Sequence, residues 1–397
     1  MKKLLVFSPY YPPHVGGLES HSAQFNNEIS RVGYAVTVFT PDLPQIPDTQ
    51  NPEKATVEGG NTILVIRYPA FELIANYPIP KFWQFKFYQQ IKQLKGERYD
   101  AVISRTRFFF SSLITMIFAK SLGIKWLHIE HGSDFPKLNN NIVNFIAWFC
   151  DHTLGWLVFR FADEVVCNSV ASAEFASTLH CGRKYNIVFR GVNEAAISEV
   201  EKTDQARKYL APNQVVISYL GRLISGKGVA DILDALTCLS DLPLVLWLIG
   251  SGPEEVALRQ MVTEKHLQEK VIFWGEKKFK EAIGLLKSSD IFINPSYTEG
   301  MPTAVIEASL CHLPIIATNV GGTREILKEV DEIVLFAPHD VETIANSIRK
   351  LSVDAELRKL MGENAFKAVT GKFDWSESVL KYKNILEAMM DGKKDTI

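Results

Sequence analysis

The stretch NPSYTEGMPTAVIEASLCHLPIIATNVGGTREIL, residues 294–327, carries the strongest fold signal in the chain. An apolar run ends at Asn294, a loop with glycine and proline follows, and a helical pattern extends from about Thr303 to Cys311. The next apolar run, Pro314 to Ala317, leads into two adjacent glycines. A strand, a helix and a second strand in this order predict a parallel sheet that is covered by helices.

The same stretch holds two carboxylates, Glu299 in the loop and Glu307 on the predicted helix, with seven residues between them. The helix around Glu307 is otherwise nearly apolar, and a carboxylate in such surroundings needs a partner. A carboxylate accepts two hydrogen bonds at once, which suits the hydroxyls of a sugar. The pair therefore indicates a ligand site after a strand rather than two solvated surface glutamates.

Elsewhere, apolar runs alternate with helical patterns and fall into two series. The first series predicts strands at residues 4–7, 35–39, 63–66, 101–103, 126–129 and 165–167. The second series predicts strands at residues 215–220, 244–249, 271–274, 291–294, 315–317 and 333–336. This alternation predicts an α/β fold of two Rossmann-like, doubly wound domains that face a central cleft, with ligands at the carboxyl ends of the strands.

A polar stretch, residues 194–214, separates the two series, and its turn residues favour a linker there. We accordingly expect a first domain over residues 1–195 and a second domain over residues 196–375. The remaining residues, 376–397, predict a C-terminal helix that packs back on the first domain.

Two glycine loops follow predicted strands. SPYYPPHVGGLESH contains Gly16 and Gly17, and YLGRLISGKG contains Arg222 and Lys227. The free N–H groups of a helix N-terminus attract anions, and nearby cations add to that potential. Each loop therefore fits an anion site, a diphosphate in the second case, but each also fits a tight turn with solvated charges.

The composition excludes several classes of protein. The chain has 397 residues and a net charge of −2, which argues against general nucleic acid binding. Its five scattered cysteines indicate reduced thiols in the cytosol, and the apolar run after the first lysines is too short for a signal peptide. The apolar stretch 142–162 is interrupted by Asp151, His152 and Arg160, so it predicts a buried helix rather than a membrane span.

One further segment, KFWQFKFYQQIKQLKGER at residues 81–98, holds five cations and one glutamate. Phe82, Phe85 and either Ile91 or Leu94 are predicted to share one face of a helix. The pattern fits a basic amphipathic helix on an anionic membrane and, equally, a core helix with a solvated basic face.

Taken together, these motifs resemble those of the retaining GT-B glycosyltransferases of the group-4 family. The resemblance rests on PYYPPHVGGLE (9–19), EHG (130–132), GRLISGKG (221–228) and EGMPTAVIEASLCHLPIIA (299–317) followed by two glycines. It extends over almost the whole chain. The first domain would then hold the acceptor and the second the nucleotide sugar.

The resemblance implies a role for each charged residue of these motifs. His131 faces the donor sugar. Arg222 and Lys227 neutralise the diphosphate leaving group. Glu299 orients the sugar hydroxyls, and Glu307 holds the ribose hydroxyls.

Other implied roles fall to the backbone. Gly16 and Gly17 let amides reach the donor phosphates or the acceptor, and Glu19 belongs to the same motif. A run of four residues lies near the sugar and the phosphates: Gly300, Met301, Pro302 and Thr303.

The implied reaction is the transfer of a sugar from a UDP- or GDP-sugar to a hydroxyl of a glycan or lipid-linked acceptor, with retention at the anomeric carbon. The expected pathway is bacterial surface polysaccharide biosynthesis, such as that of lipopolysaccharide. No D-x-D motif occurs, so we expect no metal and no cofactor besides the nucleotide-sugar co-substrate. We expect a cytoplasmic protein that is peripheral on the inner face of the membrane.

The chain departs from the family pattern at two places. Arg190-Gly191-Val192-Asn193 replaces the usual Asn-Gly-Val-Asp, which concerns hinge or acceptor contacts rather than the donor site. His312 stands where a glycine is usual, which predicts a strained, left-handed residue.

Two other functions fit the same fold. A nucleotide-sugar 2-epimerase would form its product from the donor alone. A non-catalytic sugar-nucleotide binding module would bind the donor without turnover.

Overall fold

The computed structural model describes residues 1–14, 16–44, 54–56, 62–73, 77–135, 141–208, 210–328 and 333–392. The chain divides into two compact units. Unit 1 comprises Met1–Arg190 and Trp375–Ile397, and unit 2 comprises Gly191–Asp374. The boundary falls within the Arg190-Gly191 motif, one of the two departures from the family pattern.

The described residues of unit 1 form ten strands: β1 (Lys3–Phe7), β2 (Ala35–Pro41), β3 (Lys54–Thr56), β4 (Thr62–Tyr68), β5 (Ala70–Leu73), β6 (Tyr77–Pro80), β7 (Ala101–Arg105), β8 (Lys125–Glu130), β9 (Glu164–Cys167) and β10 (Asn186–Ile187). Eight of them form one sheet in the order β10-β9-β8-β7-β1-β2-β4-β3. All pairs in this sheet are parallel except β3 with β4. Strands β5 and β6 form a separate antiparallel hairpin.

Six helices of unit 1 precede residue 190: α1 (Gly17–Arg31), α2 (Phe85–Gly96), α3 (Phe110–Leu122), α4 (Asn141–Cys150), α5 (Trp156–Phe161) and α6 (Val170–Leu179). A π-helical turn, Asp151–Gly155, joins α4 to α5. Neighbouring residues of a strand point to opposite faces, so β1 feeds two cores. Leu4 and Val6 pack with α1, whereas Leu5 and Phe7 pack with α2, α3, α5 and α6.

Unit 2 contains the strands β11 (Val215–Leu220), β12 (Leu244–Ile249), β13 (Val271–Gly275), β14 (Ile291–Asn294), β15 (Ile315–Thr318) and β16 (Val334–Phe336). They form a parallel sheet in the order β13-β12-β11-β14-β15-β16. Its helices are α7 (Glu194–Ser198), α8 (Asp204–Arg207), α9 (Val229–Thr237), α10 (Glu255–Glu264), α11 (Phe279–Lys287), α12 (Thr303–Leu310), α13 (Thr323–Ile326), α14 (Val341–Val353) and α15 (Ala355–Val369). The predicted α/β class with two doubly wound units is confirmed.

In each sheet the direction of winding reverses once. In unit 1 the chain leaves β1 toward β2 and β4 on one side, and it later runs from β7 to β10 on the other. In unit 2 the reversal lies between β11 and β14. Ligands of open α/β sheets bind outside the carboxyl ends of the strands at such a point. A ligand site is therefore expected at the loops after β1, β7, β11 and β14.

The polar stretch 194–214, which the sequence predicted as a linker, packs on unit 2. The Lys287 ammonium donates to the carbonyls of Ser198 at 3.1 Å and Val200 at 2.6 Å. The Thr203 amide donates to Ser288 Oγ at 2.8 Å. The polar composition of the stretch did not predict this packing, because most of the acceptors are backbone carbonyls, which are independent of residue type.

The last helix, α16 (Trp375–Met390), belongs to unit 1. Its Tyr382 ring meets the Phe25 ring of α1 edge-on, with centroids 4.9 Å apart, and Leu386 is fully buried in the same core. Ser378 Oγ donates to the Phe189 carbonyl at 2.9 Å. The helix therefore completes the core on the α1 face of the sheet.

The interpretation of segment 81–98 needs correction. The helix begins only at Phe85, and the side chains that face the core are Phe87, Ile91 and Leu94. Phe85, which was predicted on the apolar face, is 74% exposed. The spacing of Phe87, Ile91 and Leu94 is that of one helix face, but the extra aromatics before Phe87 obscured it in the sequence.

The prediction of a buried helix at residues 142–162 is wrong. The segment forms α4, the π-helical turn and α5, and several apolar side chains of α4 point to solvent. Apolar composition alone could not distinguish a buried helix from an exposed one. None of the described helices is both long and apolar enough to cross a membrane.

Replacing Leu386 of α16 by Ala should lower the free energy of unfolding by about 2–5 kcal/mol, because it leaves a cavity in the α1 face of the core. The exposed Leu380 of the same helix is the matched control, and its replacement by Ala should change stability by less than about 0.5 kcal/mol. Urea unfolding followed by circular dichroism measures both. Equal stability of the two variants would contradict the packing of α16.

Candidate functional site

The loops after β11 and β14 touch through their backbones. Gly228 has a φ of +65°, and a Cβ on it would lie 2.1 Å from the carbonyl oxygen of Pro295. The amide of Tyr297 donates to the carbonyl of Gly226 at 2.9 Å. Glycine is required at position 228 both by its left-handed backbone and by the lack of space. The contact holds the loop that carries Arg222 and Lys227 against the loop that carries Glu299.

This contact brings two of the predicted site residues together. Lys227 Nζ lies 2.5 Å from Glu299 Oε1, and both side chains are largely buried. The half-buried Arg222 has a different environment. Its carbonyl accepts from the Tyr219 hydroxyl at 2.9 Å, but its guanidinium makes no hydrogen bond or ion pair with any described residue. One cation is thus paired with Glu299, and the guanidinium of the other has no partner among the described residues.

Two helices begin beside these charges. Helix α9 begins after Gly228 and α12 begins after Pro302, and neither has a side-chain cap. The first amides of a helix have no partner within it, so an uncapped N-terminus favours an anion. The carboxyl edge of unit 2 therefore combines helix termini and cations in one place.

The loop after β15 supports the segment between Glu299 and α12. A Cβ on Gly322 would lie 2.4 Å from the Gly300 carbonyl oxygen, and the Gly322 amide donates to that oxygen at 3.0 Å. Met301 is buried, and Glu307 lies half-buried on α12, one turn after Thr303. Backbone contacts thus hold this segment in place.

In unit 1, a carboxylate of α1 lies at the start of its own helix. A Cβ on Gly16 would lie 2.4 Å from Glu19 Oε2, and Glu19 Oε1 lies 2.5 Å from His14 Nδ1. Gly17 is exposed, and the nearest atom to a Cβ there is a guanidinium nitrogen of Arg190 at 3.4 Å. Gly16 therefore makes room for Glu19, a role within unit 1 that the sequence did not predict.

His131 follows β8 and is a hydrogen-bond donor. The amide nitrogen of Asn168 lies 3.5 Å from His131 Nδ1, and the amide oxygen of Asn168 accepts from Ser172. With the Asn168 amide in this orientation Nδ1 of His131 accepts, which assigns the ring proton to Nε2, an atom with no partner among the described residues. Burial, and then Arg105, lowers the pKa of His131 well below its usual value, so the ring is neutral.

A guanidinium that sequence reasoning missed lies beside this histidine. Arg105, at the end of β7, is fully buried and donates to His21 Nδ1 at 2.9 Å. The His21 and His131 rings meet edge-on, with centroids 4.7 Å apart. Burial lowers the pKa of Arg105 to about 10, so it remains charged near neutral pH and helps to keep both histidines neutral.

On the other face of the sheet, Glu130 organises a second buried cluster. Its carboxylate accepts from Arg107 Nη1 at 3.1 Å and from the amides of His131 and Gly132 at 2.9 and 2.7 Å. His128 Nε2 lies 3.3 Å from Oε2 of Glu130. Burial alone would raise the pKa of Glu130, but Arg107 and His128 lower it to about 2. Glu130 thus holds the backbone of His131 in position.

The predicted residues fall into two groups. Unit 2 holds Arg222, Lys227, Glu299, Gly300, Met301, Pro302, Thr303 and Glu307, whereas unit 1 holds Gly16, Gly17, Glu19 and His131. Sequence reasoning missed Arg105 and Arg107. The signal was present, because in the run AVISRTR one arginine ends the apolar strand and the other stands two residues after it.

Comparison with known proteins identifies the family of the chain. The family model described as glycosyl transferases group 1 matches residues 201–368, and that described as glycosyltransferase family 4 matches residues 15–196. An uncharacterized glycosyltransferase of Methanocaldococcus jannaschii is 33% identical over 98% of this chain and 99% of its own.

The chain belongs to the group 1 and family 4 glycosyltransferases. The N-acetyl-alpha-D-glucosaminyl L-malate synthase of Bacillus anthracis is 23% identical over 97% of both chains. Among solved structures, the sucrose-phosphate synthase of Thermosynechococcus elongatus has a TM-score of 0.81 at 18% identity and covers 99% of this chain and 100% of its own. Anabaena HepE, in complex with UDP-glucose, has a TM-score of 0.72 at 18% identity with the same coverage. The predicted GT-B fold is confirmed.

The stability of this glycosyltransferase should fall as the pH falls below about 6.5, the ordinary pKa of histidine. Burial lowers the pKa of His21, His128 and His131 in the folded state. The unfolded chain therefore binds protons that the folded chain does not. Each such histidine lowers the free energy of unfolding by about 1.4 kcal/mol for each pH unit below about 6.5. Urea unfolding at pH 7.5 and 5.5 measures the slope.

His131→Gln should reduce the slope of the unfolding free energy against pH by the amount that corresponds to about one bound proton. The matched control is His152→Gln, because His152 is exposed, and it should leave the slope unchanged. A wild-type stability that is the same at both pH values would contradict the neutral state of these histidines.

Proposed function

We propose that this glycosyltransferase retains the anomeric configuration as it moves a sugar from a UDP- or GDP-sugar to a hydroxyl of a glycan or lipid-linked acceptor. The observation that carries the proposal is the backbone contact between the loops after β11 and β14, which gathers Lys227, Glu299 and two uncapped helix termini. The UDP-glucose complex of Anabaena HepE, a protein of similar fold, supports a nucleotide-sugar donor.

In the proposed reaction, the bond between the anomeric carbon and the diphosphate breaks, and its electron pair leaves with the diphosphate. The acceptor oxygen bonds to the same carbon on the same face and gives up its proton. Free nucleoside diphosphate and the new glycoside are the products. The chain's contribution is to stabilise the negative charge that develops on the leaving group.

Arg222, Lys227 and the termini of α9 and α12 would supply that stabilisation without a metal. In the free protein Lys227 is paired with Glu299. On donor binding, Lys227 would turn to the diphosphate while Glu299 accepts hydrogen bonds from the sugar hydroxyls. The neutral His131 would donate from Nε2 to the donor sugar, and Glu307 would accept from the ribose.

We further propose that Gly16, Gly17 and Glu19 shape the acceptor side, and that the backbone of Gly300 to Thr303 faces the sugar and phosphates. The proposed setting is bacterial surface polysaccharide biosynthesis on the cytoplasmic side of the membrane. The deciding experiment incubates the chain with UDP- and GDP-sugars and with glycan or lipid-linked acceptors in a chelating buffer. Transfer with retained configuration, read from the anomeric proton coupling, supports the proposal. Donor turnover that needs no acceptor would refute it in favour of an epimerase.

Arg222→Ala and Lys227→Ala should each lower turnover about 10²-fold or more, as the loss of one charge stabiliser does in other enzymes. Lys280→Ala is the matched control in unit 2, since Lys280 is exposed on α11, and it should leave the rate unchanged. Initial rates of nucleoside diphosphate release measure all three. Near-normal rates in both site variants would exclude the proposed leaving-group site.

Glu299→Ala and Glu307→Ala should separate binding from catalysis. The ribose contact is the same in the ground state and the transition state, so Glu307→Ala should weaken nucleotide binding. Glu299→Ala should mainly lower kcat, because the sugar must be held as it gains positive charge, and it also frees Lys227 for the diphosphate. Calorimetry with free UDP or GDP measures binding. Weaker binding by the Glu299 variant than by the Glu307 variant would reverse the assignment.

A further inference from the structure

Helix α4 exposes a continuous apolar stripe. Phe145 and Phe149 are 65% and 55% exposed, and Ile142, Ile146 and Trp148 are also exposed. The spacing of residues 142, 145, 146 and 149 places them on one side of the helix. The helix contains no charged residue. An exposed face of this composition is unusual on a protein surface that meets only water.

The helices beside α4 extend the apolar surface. Ile117 of α3, together with Trp156 and Phe161 of α5, is exposed. Helices α2, α3 and α5 all pack on one face of the sheet of unit 1. At the start of α2, Trp83 and Phe85 are exposed as well.

The charges on these helices have one sign. Helices α2 to α5 with the π-helical turn carry exposed cations: Lys86, Lys92, Lys95, Lys120 and Arg160. Their one acidic residue, Asp151, is fully buried and accepts from Arg107 Nη2 at 2.8 Å. The described part of this surface therefore combines exposed apolar and aromatic side chains with helices whose exposed charges are all positive.

We infer that α4 docks on the surface of an anionic phospholipid membrane, with its apolar stripe in the interfacial region. The helix is ten residues and so about 15 Å long, half the thickness of a hydrocarbon core of about 30 Å, so it lies in the interface rather than across the membrane. Apolar and aromatic side chains enter the interface, and the surrounding cations meet the lipid phosphates. The charge of the surface complements an anionic membrane.

The docking helix is tied to the candidate site. Arg107 donates both to Asp151, directly after α4, and to Glu130, whose carboxylate accepts from the His131 amide. A Cβ on Gly155 would lie 3.3 Å from Cδ of Arg107, so this turn of the helix lies against the Arg107 side chain. The inference rests on the proposed function in one respect, since a lipid-linked acceptor would then be presented on the face of unit 1 that carries α4 and Glu130, whose carboxylate holds the His131 backbone.

The test compares the full chain with the triple variant Phe145→Ser, Ile146→Ser, Phe149→Ser in flotation with vesicles. The vesicles consist of phosphatidylcholine alone or of phosphatidylcholine mixed with phosphatidylglycerol. Wild-type protein should float with the mixed vesicles, and the triple variant should bind at least about tenfold more weakly. The matched control is Val256→Ser with Val353→Ser, since both valines are exposed in unit 2, and it should bind like wild type.

Contact through the stripe itself is measured by tryptophan quenching with brominated lipids. Quenching should fall in Trp148→Phe while flotation persists. Circular dichroism and thermal melting show whether each variant is folded. A second variant, Lys92→Glu with Lys95→Glu, should reduce the preference for the anionic vesicles without changing the fold.

Three results would overturn the inference. The first is failure of the wild-type protein to float at low salt, and the second is equal flotation of the wild type and the folded triple variant. The third is self-association that the triple variant abolishes, because it would show that the stripe binds a second copy of the chain. Flotation needs neither donor nor acceptor. Loss of docking therefore leaves the proposed transfer intact, and failure of transfer leaves docking intact.

Discussion

The backbone contact between Gly228 and Pro295 is the constraint on which the candidate donor site depends. At the point where the winding of a parallel sheet reverses, the loops of two neighbouring strands diverge and leave a crevice. Here the loops after β11 and β14 also touch at one point, because position 228 has no side chain and a Cβ there would lie 2.1 Å from a carbonyl oxygen. Lys227 and Glu299 become neighbours as a result, and Gly322 fixes Gly300 from the next loop in the same way.

In unit 1, charged side chains are buried near His131, and each of them needs a partner. Glu130 and Arg107 satisfy each other on one face of the sheet, whereas Arg105 on the other face has His21 as its hydrogen-bond partner among the described residues. Burial and the nearby guanidinium keep His131 neutral, so that its ring presents an N–H rather than a second cation. In the proposed reaction, a neutral donor would suit an uncharged sugar, and the compensation of phosphate charge would fall to unit 2.

Twelve of the sixteen described strands and the helix α12 could be predicted because each is an apolar run next to glycine, proline or polar residues, a purely local signal. The short strands β3, β5, β6 and β10 give no such signal and were not predicted. His312 was also predicted correctly as left-handed; its φ is +58°, and its ring stacks on Phe366 with centroids 4.0 Å apart. The partners of Arg105 and Arg107 come from distant elements, so no spacing in the sequence reveals them. The exposure of α4 could not be predicted either, since a stripe at residues 142, 145, 146 and 149 looks the same whether it faces a core, a membrane or water.

The central claim is that the loops after β11 and β14, with the first turns of α9 and α12, bind the nucleotide diphosphate. Hydrogen exchange measured by mass spectrometry, with and without UDP or GDP, tests it most directly. The account predicts slower exchange of the amides in segments 222–230 and 299–307 when the nucleotide binds, with α14 and α15 of the same unit unchanged. Binding that protects neither loop, or that protects unit 1 instead, would contradict it.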